Sequence, residues 1–191
     1  MSLLIAVVFT AAAIAPWLLL HGGRRMFLPL AAVPLAGAGW VAAQGGRVAD
    51  GEIRTEAYPW VGSIGVDLAF AMGSLQWLMA LIVLVIGALV LAYCAWYFDE
   101  DEVGVLLFAG VLVAFMAAML GLVLADDLLL LYVFWELTTV FSFLLIGHHS
   151  DRRGSRQAGI QALVVTTLGG LTMLVGALIL GHQAGTHRIS E

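Results

Sequence analysis

The sequence predicts an all-α membrane protein of about six transmembrane helices, with one long loop holding a short β-hairpin. Three observations predict it. The 191 residues are 62% hydrophobic and only 11% charged, where soluble domains average about 25% charged. The mean hydropathy is +1.03. The apolar residues are gathered into six stretches, each near the length of about 20 residues that a helix needs to cross a bilayer.

The first stretch, 3–20, opens without basic residues and runs past Ala11, Ala12, Ala13, Ala15 and Pro16 into more apolar sequence. It reads as a retained helix, with a cleaved signal as the alternative. The second, 27–43, carries Pro29 and Pro34 and is expected to be the least regular, because neighbours must satisfy the backbone groups that proline frees. The others run over 75–98, 103–124, 128–147 and 158–181. Most links are short: 21–26, Asp99-Glu100-Asp101-Glu102, Ala125-Asp126-Asp127, and the arginine-rich 148–157. Short links make successive helices antiparallel and usually adjacent. Between 44 and 74 the first half is polar and turn-rich. In the second half Ile64, Val66, Leu68 and Phe70 alternate onto one face, interrupted by Gly62 and Gly65. That pattern predicts a short β-hairpin lying over the membrane surface. The chain therefore divides into two helices (1–43), a loop (44–74), a third helix with its acidic turn (75–102), helices four to six (103–181) and a tail (182–191).

The fixed cations are eight arginines, with no lysine. That bias, with abundant Ala, Gly, Leu and Val, suggests a GC-rich bacterial genome. An external N-terminus puts Arg24, Arg25, Arg152, Arg153 and Arg156 inside, against Arg47, Arg54 and Arg188 outside. The positive-inside rule favours this orientation, so the long loop and the tail are expected to be external. The net charge of −5 argues against nucleic acid, which demands a basic patch. The lone Cys94 excludes an internal disulfide and a cysteine metal cluster. No metal and no cofactor are expected.

Glu136 is the informative residue. It falls near the middle of the fifth stretch, LLLLYVFWELTTVFSFLLIG. A carboxylate at that depth costs roughly 3 kcal/mol or more, and such groups mark ion and proton pathways. Helical spacing puts Tyr132, Val133, Thr139, Val140 and Phe143 on or beside its face. Thr139 can hydrogen-bond the carboxyl, and Thr138, Ser142 and Trp135 lie near. Apolar neighbours would strip water from the carboxyl and favour its neutral form, so it could load and release protons. The alternative is a protonated acid joining two helices by hydrogen bonds.

Asp126 and Asp127 precede the fifth helix. They either cap its N-terminus or gather cations at an outer mouth. The acidic turn at 99–102 reads as a solvated charge run. His148 and His149 point in different directions on a helix, which disfavours a metal site and makes them interface histidines; His182 and His187 have no assigned role. Trp17, Trp40, Trp60, Trp77 and Trp96 fall near span ends, as an aromatic belt requires. In the sixth stretch Gly169, Gly170 and Gly176 allow close helix approach. Thr166 and Thr167 either pack there or line a water path.

Two stretches, LADDLLLLYVFWELTTVFSFLLIG and QALVVTTLGGLTMLVGALIL, resemble the large A-type subunit of Mrp-type multi-subunit Na+/H+ antiporters. That subunit is itself similar to the antiporter-like proton-pumping subunits of respiratory complex I. The run GVDLAFAMGSLQWLMALIVLVIGALVLAYCAWYF resembles the family's third span, so the likeness covers residues 60–191. It implies the first part of an antiporter-like inverted-repeat fold in a bacterial cell membrane. The implied partners are the other subunits of a hetero-oligomer, with Na+ and H+ as substrates and lipid as surroundings. It implies that Glu136 relays protons, paired with a lysine on a later helix. Three departures stand out. The chain has no lysine, Gln161 stands where the family has a basic residue, and Met72-Gly73-Ser74-Leu75 replaces an Asp-Gly-Leu-Ser motif. The family's large subunit is also several times longer, which implies a fragment, a split subunit or a partly resolved chain. The rival readings are a proton-pumping subunit of a complex I-type or membrane hydrogenase complex, and a non-transporting scaffold.

Overall fold

The computed structural model describes residues 1–61, 66–99, 104–148 and 153–190. The expectations placed on Gly62, Ile64, Gly65, Glu100, Asp101, Glu102, His149 and Arg152 lie outside the described residues. The chain forms α1 (Ser2–Gly22), a 3₁₀ turn (Arg24–Met26), α2 (Phe27–Ala43), a short α3 (Gly45–Ala49), β1 (Arg54–Val61), β2 (Val66–Met72), α4 (Ser74–Tyr97), α5 (Val105–Leu124), α6 (Leu128–Ile146) and α7 (Arg153–Ala184). Among the described residues six helices, α1, α2 and α4 to α7, are long and apolar enough to cross a membrane. The protein is a mostly helical, multi-pass membrane protein with one two-stranded hairpin.

Three local features differ from the sequence reading. α2 is continuous through Pro34, and Pro29 sits in its first turn, where a missing N–H costs nothing. α7 starts within the arginine-rich link, because apolar length bounds only the part of a helix that lipid covers, not the helix itself. β2 is buried from Ala69 to Met72 on both faces, not on alternate residues, because its base packs among α4, α5 and α6.

α2 packs on α4, α4 on α5, α5 on α6 and α6 on α7, while α1 lies chiefly against α5. Despite their short link, α1 and α2 touch little. A crevice of about 770 Å³ opens between them under β1. The reason is a better partner for α1: Gly110 of α5 lets Pro16 and the Ala12 carbonyl come so near that a Cβ there would stand 3.1 and 3.2 Å from them. Gly121 of α5 likewise admits the Phe134 ring of α6, and Gly87 of α4 admits the Met116 side chain of α5. Small residues that let backbones approach are the main source of helix adhesion in lipid.

Polar groups collect at the two ends of the bundle. At one end, β1 and β2 pair antiparallel from Arg54↔Met72 to Val61↔Val66, with an irregularity between Pro59 and Val61, where proline has no N–H to give the ladder. Glu56 of β1 accepts hydrogen bonds from the Met1 ammonium at 2.7 and 2.8 Å and from the Ser2 amide and hydroxyl at 3.1 and 3.0 Å. Arg54 approaches the same carboxylate at 3.5 Å and lies over the Trp40 ring. The Trp77 indole donates to the Val41 carbonyl at 2.7 Å. At the other end the Arg24 guanidinium donates to the Phe98 carbonyl at 2.9 Å. There the rings of Phe27, Phe98, Phe108 and His148 gather, with Phe98–Phe108 and Phe108–His148 centroids 4.9 Å apart.

Two predictions follow from this packing. Burial alone would raise the Glu56 carboxyl, but the Met1 ammonium and the Ser2 donors outweigh it and hold it below its ordinary value. Its stabilising contribution is therefore present above the unfolded carboxylate range and is lost as pH falls through the lowered value. Hydrogen exchange of the β1 amides should accelerate in that acid window, and Glu56→Gln should make exchange fast at every pH. In α5, Gly121→Ala drives a methyl into the Phe134 ring, which is buried, and should cost about 1–3 kcal/mol. Gly176→Ala, with nothing within 4 Å, should leave the thermal midpoint of the solubilised protein unchanged.

Candidate functional site

The turn between α5 and α6 is the best-tied part of the chain. Asp127 is the N-cap of α6: its Oδ1 accepts the amides of Leu129 and Leu130, both at 2.9 Å. Such a side-chain acceptor satisfies amides that the first helical turn leaves orphaned. Asp126 accepts the Ser190 hydroxyl at 2.7 Å and stands 3.8 Å from Arg188, which also reaches Asp67 of β2 at 3.3 Å. Backbone bonds complete the knot: the Asp126 amide to the Ala69 carbonyl, Leu128 to His187, and Ile189 to Asp126. The turn, the hairpin base and the 187–190 segment are thus one unit. Asp126 and Asp127 are 3% and 2% exposed, so the capping reading describes Asp127, and neither carboxylate faces open solvent.

Glu136 lies midway along the 19 residues of α6. Leu130, Phe134 and Thr139 are the buried residues of this helix; Glu136 is half-buried. Its Oε1 is enclosed and has no hydrogen-bond partner among the described residues, and the Trp135 Nε1 is in the same condition. Both face Gly170 on α7. A Cβ at that glycine would overlap Glu136 Oε1 and would stand 3.3 Å from Trp135 Cδ1 and Nε1. The Tyr132 phenol, one turn earlier, lies beside the Glu136 carboxyl. The other hydroxyls serve their own helix: Thr138 donates to the Trp135 carbonyl at 2.7 Å and Ser142 to the Thr139 carbonyl at 3.0 Å. Thr139 is buried at 4% exposure. On α7, Thr166 donates to the Ala162 carbonyl and is exposed.

An enclosed acceptor without a partner costs about 1–3 kcal/mol, more if charged. Such a group in a folded protein calls for an explanation. The arrangement can hold a carboxyl beside the Tyr132 phenol with one oxygen aimed between two helices. Sequence reasoning assigned Arg188 no role beyond a charge on the outer side, and gave Gly170 to packing alone. No local signal marks Arg188: its partners Asp67 and Asp126 lie far off in the chain.

The terminal knot makes a prediction. Asp127→Ala should cost about 1 kcal/mol, the worth of an N-cap. Arg188→Leu should cost more, about 3 kcal/mol, because it leaves Asp126 buried without its cation. Amide exchange at Leu128 and Ile189, both bonded across the knot, should rank the variants in that order.

Residues 125–191 match the family described as NADH:quinone oxidoreductase/Mrp antiporter, TM. The chain is 38% identical over 142 residues to a probable A/B subunit of a K(+)/H(+) antiporter of Rhizobium meliloti (strain 1021), covering 74% of this chain and 14% of that protein. It is 37% identical over 158 residues to a putative antiporter subunit mnhA2 of Staphylococcus haemolyticus (strain JCSC1435), covering 83% of this chain and 20% of that one. Its fold superposes on a chain of the Mrp complex from Dietzia sp. DQ12-45-1b with a TM-score of 0.86 at 35% identity, covering all of this chain and 20% of that chain. It also shares its fold, at a TM-score of 0.79 and 18% identity, with a chain of the membrane-bound sulfane sulfur reductase, an archaeal respiratory membrane complex, over 98% of this chain and 28% of that one. The chain spans between 14% and 20% of the length of the two curated relatives. In sequence and in fold it is like the large A-type subunit of Mrp antiporters over that share of the subunit's length.

Proposed function

We propose that the chain works within a cation/proton antiporter complex of a bacterial cell membrane, exchanging cytoplasmic Na+ for external protons, with Glu136 as the proton carrier. One observation supports this most: an ionisable carboxyl midway along a spanning helix, with one oxygen enclosed and unpaired. An acid kept only to join helices would have both oxygens engaged. A carboxyl left partly unsatisfied in a site of low dielectric is poised to exchange its proton. The chain has no lysine, so the charge that balances ionised Glu136 comes from elsewhere in the complex. With the hairpin end outside, the knot around Asp126 closes the outer surface and the Arg24–Phe98 cluster closes the inner one. One relative's name specifies K+, so the cation is a matter for direct measurement.

A second reading, redox-driven proton pumping, draws support from the NADH:quinone oxidoreductase in the family description. The two differ in what drives them. In membrane vesicles from an antiporter-deficient host carrying the full complex, Na+ and K+ are added separately after a pH gradient is set, without redox substrate. Antiport should appear with Na+ and should fall about 100-fold in Glu136→Gln, the scale of losing a positioned proton-transfer group, with assembly unchanged. Normal antiport in Glu136→Gln would remove Glu136 from the proton route. No cation-driven exchange in the wild type, with proton uptake on adding redox substrate, would favour the pump.

A further inference from the structure

We infer that Gly170 is a positioning residue for the Glu136 carboxyl: the side chain it lacks sets where that carboxyl stands, and the residue does not serve only to bring α7 close. This rests on Glu136 being the proton carrier.

α7 meets the bundle through Gly159, Gly170, Ala177 and Gly181, the buried ones among its described residues. Their spacing keeps them on one face of a helix. What each glycine faces differs. Gly159 faces the Phe143 ring and Gly181 the His187 ring, while Gly170 faces a carboxylate oxygen. Gly169 and Gly176, on other faces, have nothing within 4 Å.

The nature of the contacted atom decides what a methyl at Gly170 would do. Where a glycine abuts backbone or a buried ring, as Gly121 abuts Phe134, an added carbon must separate the helices. At Gly170 the first atom met is the free end of a flexible side chain. Rotating that end costs about 0.5–1.5 kcal/mol even well off a rotamer, so α7 need not move. The effect falls on the carboxyl. The Trp135 edge, 3.3 Å from the same point, blocks one side, so Glu136 Oε1 is turned away from the Trp135 Nε1. Few other charges act there. Tyr132 faces the carboxyl from its own helix. α5 has no titratable residue, and Arg153, Arg156 and His182 lie in the terminal turns of α7. Asp67 of β2 is engaged by Arg188.

The test uses the full complex with G170A, the adjacent control G169A, E136Q, and the double variant E136Q/G170A. G170A should assemble normally, lose about tenfold in antiport, as a small misplacement of a reacting group can, and change its antiport pH profile. G169A should match the wild type. The double variant should match E136Q, because Gly170 acts through the carboxyl. The infrared band of the Glu136 carboxylic acid, identified by its loss in E136Q, should move in G170A and stay in place in G169A. If E136Q abolishes antiport while G170A matches G169A in band and pH profile, the inference is overturned and Glu136 keeps its role. Failure of G170A to assemble would also overturn it, since the contact would then be packing. If E136Q transports normally, the proposed function fails instead, and the infrared band alone decides whether Gly170 places the carboxyl.

Discussion

A helix surrounded by lipid tails gains nothing from the hydrophobic effect by moving onto another helix, so close backbone approach has to hold this bundle together. The structure meets that constraint by seating a large residue of one helix on a glycine of the next. Met116 sits on Gly87, Phe134 on Gly121, Pro16 on Gly110 and Phe143 on Gly159. This device explains why α1 deserts its neighbour in sequence for α5. It explains also why α7, whose described buried residues are three glycines and one alanine, is held at all. Its outward side chains, Val165, Leu168 and Leu180 among them, remain exposed, as suits a surface met by lipid or by neighbouring chains.

The same solvent forbids unsatisfied polar groups at depth, and the chain exports nearly all of them to its ends. Asp126, Asp127, Asp67, Arg188 and Glu56 are tied together or to backbone at the hairpin end. Arg24 is tied to Phe98 at the other. Against this background Glu136 is an exception in position and in bonding. Tyr132 stands beside it, and the nearby hydroxyls of Thr138 and Ser142 are spent on their own helix. The buried carboxylates of Asp126 and Asp127 are satisfied at the hairpin end; the enclosed oxygen of Glu136 is not, among the described residues.

At Gly170 the packing device and the exception coincide. The small residue that brings α7 near is the one against which the carboxyl lies. The ionisable oxygen therefore lies against the face that α7 turns to the bundle.

The sequence by itself determined the six spans, the hairpin between the second and third of them, and Glu136 as the buried-charge candidate. Each rests on a property of one dimension: apolar length, alternation, or one acid in an apolar run. The same reasoning offered capping for Asp127, which is a local matter of the first helical turn, and the structure has that cap. Tertiary structure alone decided that α1 leaves α2, that Arg188 joins Asp126 to Asp67 across most of the chain, that the hydroxyls of Thr138 and Ser142 turn to backbone, and that Gly170 faces Glu136. Hydropathy says how far a helix runs in lipid. Which atoms meet depends on how each helix is rotated and how near it comes, and those are set by clearances between residues that the sequence keeps far apart.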